Sequence, residues 1–100
     1  MLPHVTSKGA ILAFTRALSR ELGQYNINVN SLSPGYILSD TGLLNTKHVE
    51  DERVPVRNAR AFKRDAYPED LLGTLVFLAS KDSDFITGQS IVVDGGAINN

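Results

Sequence analysis

The helix that decides the fold opens with His4-Val5-Thr6-Ser7-Lys8-Gly9-Ala10. Residues four apart lie on one face of a helix, so the spacing places His4 and Lys8 one turn apart on the same side. A titratable ring beside an ammonium is a candidate acid–base pair, because a nearby cation favours loss of a proton. On spacing alone, a solvated helix face that carries both residue types is the commoner structure.

Apolar residues continue this helix at steps of three and four, which predicts a helix from about residue 4 to residue 22 with one apolar face. That face consists of Ile11, Phe14, Leu18 and Leu22. Gly23 follows at the place where a left-handed residue commonly ends a helix. We therefore expect Gly23 to adopt a positive φ.

Length and composition limit the classes of protein to consider. A chain of 100 residues forms one small domain, and its net charge of −1 gives no reason to expect nucleic acid or an anionic membrane as a partner. The absence of cysteine excludes disulfides and thiolate metal sites, and we expect no metal site of another kind. No apolar run is long enough to span a bilayer, and no signal peptide is recognisable, so we expect a cytoplasmic protein.

Three further elements follow in the order strand, helix, strand, which is typical of an α/β fold. A strand is predicted over residues 27–33, ended by Pro34-Gly35. A helix is predicted over residues 68–80, with Pro68 in its first turn and Tyr67 at the N-cap. The last strand is predicted over residues 90–94, and its continuous apolar run suits a strand covered on both faces. The buried stripe of the second helix is predicted to contain Leu71, Leu75, Leu78 and Ala79, widened by Leu72 and Val76.

Residues 39–66 are the least regular part, and we expect a variable loop there with a turn at Asp40-Thr41-Gly42. Four arginines recur at helical spacing in its second half, although Pro55 counts against a continuous helix. They are Arg53, Arg57, Arg60 and Arg64. A solvated, mobile face is one interpretation of this spacing, and a site for an anionic substrate or carrier is the other.

Three motifs, in the right order, resemble the C-terminal part of the short-chain dehydrogenase/reductase family. They are Ser7-Lys8-Gly9-Ala10 in the first helix, Asn30-Ser31-Leu32-Ser33-Pro34-Gly35-Tyr36-Ile37 around the first strand, and Pro68-Glu69-Asp70-Leu71 with Val92-Val93-Asp94-Gly95-Gly96 at the end. The resemblance implies a partial Rossmann-like parallel sheet, made of the family's last two strands and their flanking helices. In the complete family these belong to a three-layer α/β/α domain. The Gly-rich nucleotide-binding half of that domain has no counterpart in residues 1–100.

The resemblance also implies a chemistry, namely hydride transfer between NAD or NADP and a small-molecule alcohol or carbonyl. Lys8 falls on the family's lysine, which binds the nicotinamide ribose and lowers the pKa of the catalytic tyrosine. The backbone at Pro34, Gly35 and Ile37 would face the nicotinamide amide, and the Ser39 hydroxyl would reach the pyrophosphate. Intact family members are homo-oligomers.

His4 stands at the position of the family's catalytic tyrosine, and two explanations are open. One is a histidine that replaces the tyrosine as proton carrier. The other is a truncated or mis-spliced gene model, because Pro3-His4-Val5-Thr6-Ser7-Lys8 resembles the family string His-Tyr-Val-x-Ser-Lys with the tyrosine skipped.

Two functions follow from the missing half. The first is a partial oxidoreductase, inactive and marginally stable alone, whose strand edges and apolar helix faces lack their partners. The second is a non-catalytic interaction module that pairs with intact subunits of the same family.

Overall fold

A computed structural model describes the backbone of residues 1–39 and 46–98, with side chains for 1–39 and 53–98. The predicted turn at residues 40–42 lies outside these ranges. The main elements are α1 (Leu2–Leu22), β1 (Ser31–Pro34), α2 (Thr46–Ala59), α3 (Glu69–Leu78) and β2 (Ser90–Val93). Short 3-10 turns follow α1 at Gly23–Tyr25 and α3 at Lys81–Ser83. The chain divides into two compact units, Met1–Leu32 with Val76–Ile91, and Ser33–Leu75 with Val92–Asn100.

Strands β1 and β2 pair in a two-stranded sheet. The N–H of Ser31 donates to the carbonyl of Gln89 at 2.9 Å, and the N–H of Gly35 donates to the carbonyl of Val93 at 3.2 Å. The two bonds have the same sequence offset, so the strands run parallel. The predicted α/β class is confirmed.

Strand β1 begins later than the predicted residue 27. In the segments that precede β1 and β2, side chains form hydrogen bonds with backbone groups that would otherwise pair between the strands. The Val29 N–H donates to the Thr87 hydroxyl at 3.0 Å. The Asn30 side chain accepts from the Gln89 N–H at 3.1 Å and donates to the Ile86 carbonyl at 2.9 Å. Regular strand pairing therefore starts only at Ser31.

Helix α1 agrees with its predicted range but ends differently. Gly23 has φ −59°, so the prediction of a left-handed residue there is wrong. The chain continues through one 3-10 turn, and Asn26 takes the left-handed conformation with φ 59°. Asparagine tolerates this conformation better than other non-glycine residues, because its short side chain bonds locally.

The predicted apolar face of α1 is only partly covered. Thr15 and Ser19 are the buried residues of this helix, at 5% and 7% exposure, whereas Phe14 remains 62% exposed and Ile11 47% exposed. The Thr15 hydroxyl donates to the Ile11 carbonyl at 2.8 Å, so burial leaves it satisfied. Leu18, another member of the predicted face, is half-buried. The described residues of their unit leave Ile11 and Phe14 uncovered.

Helix α2 contradicts the expectation that Pro55 prevents a continuous helix, since it runs through this residue. A proline removes one backbone bond from the helical ladder, and the remaining bonds are sufficient here. Helix α3 begins one residue after Pro68, and the Asp70 carboxylate accepts the Tyr67 N–H at 2.9 Å. None of the helices in the described ranges has the length and hydropathy of a transmembrane span.

Side chains that the pattern assigned to a core in the second half are also exposed. Leu72, Leu75 and Val76 on α3 are 54%, 53% and 66% exposed, so the predicted buried stripe is wrong for them. Ala79 lies beyond the end of α3 and is exposed, whereas Leu71 and Leu78 are half-buried. Strand β2 alternates between exposed and half-buried residues, which corrects the prediction of a strand covered on both faces.

Candidate functional site

The first part of the candidate site is the N-terminal turn of α1, in the first unit. His4 and Lys8 are both exposed. The Ser7 hydroxyl donates to the His4 backbone carbonyl at 2.9 Å, and this bond involves neither the His4 imidazole nor the Lys8 ammonium. Across the described residues, no hydrogen bond or ion pair engages the Lys8 ammonium or the His4 imidazole. Both groups are therefore able to bind a ligand or a further protein segment.

The second part is the turn at the carboxyl end of β1, in the second unit. Ligands of open α/β sheets bind outside the carboxyl ends of the strands, where this turn lies. A Cβ on Gly35 would lie 3.0 Å from the Asp94 Cβ and 3.3 Å from its Cα, so any other residue here would have to displace Asp94 by a few tenths of an ångström. Beyond it, Ile37 forms a parallel bridge with Ala66. The turn is thus held at both of its ends.

Within this turn, polar backbone groups differ in whether they have a partner. The Leu38 N–H donates to the Ala66 carbonyl at 2.9 Å, and Leu38 itself is only 3% exposed. The described residues offer no acceptor to the N–H of Ile37, which is half-buried. Pro34 and Ser39 are exposed. Four of the five predicted cofactor-binding residues therefore lie in one short segment, and the fifth, Lys8, lies on α1.

Asp94 fixes the chain immediately after β2. Its carboxylate is 7% exposed and accepts the N–H groups of Gly96, Ala97 and Ile98 at 2.9, 3.2 and 3.0 Å. Gly95 and Gly96 have φ of +67° and +81°, a conformation that glycine adopts without strain. These bonds satisfy the buried charge locally.

The arginines that the sequence placed on one helical face are divided by the end of α2. Arg53 and Arg57 lie on this helix, and both form ion pairs with Asp65, Arg57 through Nη1 at 3.5 Å. The hydrogen bond from Arg53 lowers the pKa of the Asp65 carboxyl, although partial burial opposes this shift. The expected solvated face is wrong for this pair, because both arginines are half-buried against a carboxylate.

Arg64 forms a bidentate pair with Asp70. The two guanidinium nitrogens Nη1 and Nη2 donate to Oδ2 and Oδ1 at 2.9 and 2.7 Å. The bonds from Arg64, and then that from the Tyr67 N–H, lower the pKa of Asp70 well below its usual range. The same contact raises the pKa of Arg64.

Arg60 is the arginine of this group whose burial the sequence did not predict. It follows α2 directly and is 3% exposed. Nη2 donates to the Tyr36 carbonyl at 2.6 Å, and Nη1 donates to the Arg64 carbonyl at 3.0 Å. Arg60 also lines a cavity of about 140 Å³, together with Phe62, Arg64, Asp65, Ala66, Asp70, Val93 and Gly95. The arginine spacing was the only signal in the sequence, and it did not distinguish this arginine from its neighbours.

The structure brings Pro34, Gly35, Ile37 and Ser39 together in the turn after β1, and it places His4 and Lys8 together on α1. The turn residues belong to the second unit, and His4 and Lys8 belong to the first. In the parts of the chain with described side chains, no group of His, Asp and Glu residues could hold a metal ion.

Comparison with known proteins gives consistent matches along almost the whole chain. Residues 3–98 match a family model described as enoyl-(acyl carrier protein) reductase. The 2-dehydro-3-deoxy-D-gluconate 5-dehydrogenase of Dickeya dadantii is 38% identical over 96 residues, which cover 93% of this chain and 36% of the relative.

Solved structures give the same result. The crystal structure described as a gluconate dehydrogenase from Agrobacterium tumefaciens superposes with a TM-score of 0.87 at 38% identity, over 97% of this chain and 38% of that one. The 4-hydroxyisoleucine dehydrogenase complexed with NADH and succinate has a TM-score of 0.78 at 31% identity, over 93% of this chain and 36% of that one. The chain thus spans little more than a third of the length of the proteins it matches.

Proposed function

The chain belongs to the short-chain dehydrogenase/reductase family, and from this premise we propose that it forms the C-terminal part of an NAD(P)-dependent oxidoreductase. The reaction is hydride transfer between the nicotinamide and an alcohol or carbonyl group of a small molecule. The observation that carries the proposal is the match over residues 3–98, which includes Lys8 on α1 and the Pro34-Gly35 turn after β1.

Lys8 is the residue to which we assign the cofactor ribose. Its ammonium is exposed and, among the described residues, engaged by no carboxylate or carbonyl. A lysine ammonium offers three donors, which suits a pair of ribose hydroxyls. Its positive charge also favours the deprotonated form of a neighbouring acid, so Lys8 would assist proton transfer to or from the substrate oxygen.

The turn after β1 has the properties that a flat, amide-bearing ring requires. Gly35 adds no side chain, so the backbone can approach the ring. The Ile37 N–H has no acceptor in the described chain and would bind the carboxamide of the cofactor. When bound, the nicotinamide supplies or accepts the hydride. Pro34, Gly35 and Ile37 orient it, and the exposed Ser39 is the residue for the pyrophosphate.

His4 would be the proton carrier, one helical turn before Lys8. An imidazole can hold or release a proton, but it is shorter than the phenol that the family uses at this position. The substrate oxygen would have to lie closer to α1, or a water would have to bridge the gap. We therefore propose that turnover with His4 is slow.

The active unit further requires a nucleotide-binding half, which the residues of this chain do not supply. Phe14 on α1 is 62% exposed and Val76 on α3 is 66% exposed, and uncovered apolar side chains of this kind support a missing complementary surface. We propose that the chain alone neither binds the cofactor nor turns over substrate.

Reconstitution tests this function. The chain would be combined with the part of the Dickeya dadantii dehydrogenase that it does not match, and binding of NADH or NADPH would be followed by cofactor fluorescence. We expect saturable binding by the reconstituted enzyme and none by the chain alone. Lys8→Met should weaken binding at least tenfold, because the ribose loses a charged donor, whose hydrogen bonds are worth about 1.5–3 kcal/mol.

Arg16→Met is the matched control, since it removes an exposed cation from the same helix without touching the candidate site. Equal binding by the Lys8→Met enzyme and its parent would contradict the assignment of Lys8. A reconstituted enzyme that assembles but binds neither cofactor would contradict the proposed function itself.

A second candidate function is favoured by one observation, the 98% exposure of Phe85 in the segment between α3 and β2. An aromatic ring in that position suits a protein contact, as an interaction module pairing with intact subunits would require. Co-purification of the chain with a full-length relative would support this function. Phe85→Ser should abolish it, whereas a module that pairs through other residues would be unaffected.

A further inference from the structure

Arg60 is a buried cation that forms no ion pair in the described part of the chain, although its charge helps to lower the pKa of Asp65 and Asp70. It is 3% exposed, and its Nε has no hydrogen-bond acceptor there. Removing a guanidinium from water is costly unless all its donors are satisfied. The neighbouring arginines differ, since Arg53, Arg57 and Arg64 all pair with aspartates.

The donors of Arg60 are directed to backbone carbonyls. Nη2 donates to Tyr36 O at 2.6 Å, and Nη1 donates to Arg64 O at 3.0 Å. The guanidinium therefore bridges the turn after β1 and the segment that leads into α3. Its planar fork can reach two carbonyls at once, which a lysine ammonium on a flexible stem does less well.

Two glycines leave room for this side chain. A Cβ on Gly35 would lie 3.4 Å from Arg60 Nη2, and a Cβ on Gly95 would lie 3.4 Å from Arg60 Cδ. The guanidinium is thus packed against the backbone of the turn, and its stem is packed against the backbone that follows β2. Such packing leaves the side chain few alternative rotamers.

The contact with Tyr36, together with the bridge between Ile37 and Ala66, fixes the direction of a second backbone group. The carbonyl of Tyr36 and the N–H of Ile37 belong to the same planar peptide unit, and in a trans peptide they point in opposite directions. Arg60 holds the carbonyl, so the Ile37 N–H is directed away from Arg60. This is the N–H that has no acceptor among the described residues.

We propose that Arg60 is a positioning residue for the nicotinamide: by holding the Tyr36 carbonyl, it orients the Ile37 N–H toward the cofactor's carboxamide. The inference rests on the proposed function, because it presumes that the turn after β1 receives the ring. Arg60 acts through the Tyr36–Ile37 peptide and does not touch the cofactor itself.

The first test uses the reconstituted enzyme with Arg60→Met, which keeps an apolar stem but removes every donor. We expect kcat to fall about 10- to 100-fold, since a displacement of about 1 Å can cost as much as 10²-fold. The KM for the substrate should change little. Arg60→Lys should retain part of the activity, because its ammonium can still donate to one of the two carbonyls. The urea midpoint of Arg60→Met should not fall in parallel with kcat. The substitution also removes a buried charge, and this offsets the loss of its hydrogen bonds.

Arg57→Met is the matched control, because this neighbouring arginine pairs with Asp65 and has no described contact with the turn. A fall in kcat that tracks a fall in the urea midpoint across all three variants would overturn the inference. So would an unchanged kcat in the Arg60→Met enzyme.

A second measurement separates this inference from the proposed function. The ¹³C shift of the Tyr36 carbonyl and the ¹⁵N shift of the Ile37 amide would be recorded in the 100-residue chain. We expect both to change in Arg60→Met and neither to change in Arg57→Met. Unchanged shifts in Arg60→Met would overturn the inference even if the reconstituted enzyme were active. If the shifts change but the reconstituted enzyme is inactive, the orientation of the Tyr36–Ile37 peptide by Arg60 would be supported. The proposed function, and not this inference, would then be contradicted.

Discussion

Helix α1 and the turn after β1 carry the two parts of the candidate site, and they are supported in opposite ways. On α1 the buried residues are the small hydroxyl residues Thr15 and Ser19, while Phe14 is 62% exposed. In the turn, Leu38 is 3% exposed, and the backbone is tied to its surroundings by named hydrogen bonds. The described residues thus leave the apolar side of the lysine helix uncovered, whereas the turn is fixed by contacts within its own unit.

The largest effect should come from changing the proton carrier on α1. His4→Tyr introduces the phenol that the family uses at this position. In the reconstituted enzyme we expect kcat to rise by about 10²–10⁴-fold, the usual contribution of a well-placed acid or base. Steady-state oxidation of an alcohol substrate measures this change.

His4→Phe is the control for His4→Tyr, because it adds a ring of the same shape without the hydroxyl. It should lower kcat below that of the parent. A rise in kcat of similar size in both variants would show that the size of the ring at position 4, and not proton transfer, limits the rate.

Glycine substitutions compare the rigidity of the two units. Gly96→Ala combines a φ of +81° with a Cβ that would lie 2.7 Å from the Ala61 Cβ, so backbone must move. We expect a loss of about 3 kcal/mol in the free energy of unfolding, from left-handed strain plus overpacking. Gly88→Ala has φ +73° and meets the rotatable Ser19 hydroxyl at 2.7 Å. It should cost only about 1–2 kcal/mol.

Urea denaturation measures both losses. Gly9→Ala on α1 is the control, because no atom lies within 4 Å of its added Cβ and its φ is helical, so it should be neutral or stabilising. A larger loss of unfolding free energy for Gly88→Ala than for Gly96→Ala would show that the first unit, and not the second, is the more rigid.

Acidity should weaken the second unit selectively. The bonds from Arg53 and Arg64 lower the folded-state pKa of Asp65 and Asp70. Each pair therefore contributes its full stability above the unfolded carboxyl pKa of about 3.9 and loses it as the pH falls below that value. We expect the urea midpoint to fall between about pH 4 and pH 2, and Asp70→Asn to make this fall shallower.

Asp84→Asn is the control for Asp70→Asn, since its carboxylate forms no ion pair in the described chain. The urea midpoint would be measured at each pH by far-UV circular dichroism, because the sequence contains no tryptophan whose fluorescence could report unfolding. An equal effect of both substitutions would show that the ion pairs of the second unit do not cause the acid sensitivity.

The smallest effect on folding is expected at Phe85, which is 98% exposed. Phe85→Ser should change the free energy of unfolding of the chain by less than about 0.5 kcal/mol, as is usual for an exposed position. It should nevertheless reduce self-association, measured by sedimentation. A clear loss of stability would mean that the ring is covered within the chain.

The sequence predicted the elements whose signals are local. The helix that carries Lys8, the helix after Pro68 and the last strand all lie within a few residues of their predicted bounds, because apolar period and proline position act over single turns. The family was recognised from motifs in their order along the chain. Helix α2 was missed, since its residues are polar and Pro55 argues against a helix when it is considered alone.

The parts that could not be predicted depend on contacts distant in sequence. The burial of Arg60 requires Tyr36, Gly35 and Gly95 to come together around it, and no pattern near residue 60 encodes this. The exposure of Leu75 was not predicted from the pattern either, since periodicity identifies an apolar face but not the surface that covers it.

The hydrogen bond from Arg60 to residue 36 uses a main-chain oxygen, which every amino acid possesses. Substitutions of the side chain at position 36 can therefore accumulate without loss of this bond. In the oxidoreductase proposed above, the side chain at position 36 could therefore vary while the direction of the Ile37 N–H is kept. Evolutionary change of the side chain and conservation of the backbone geometry would then be independent at this position.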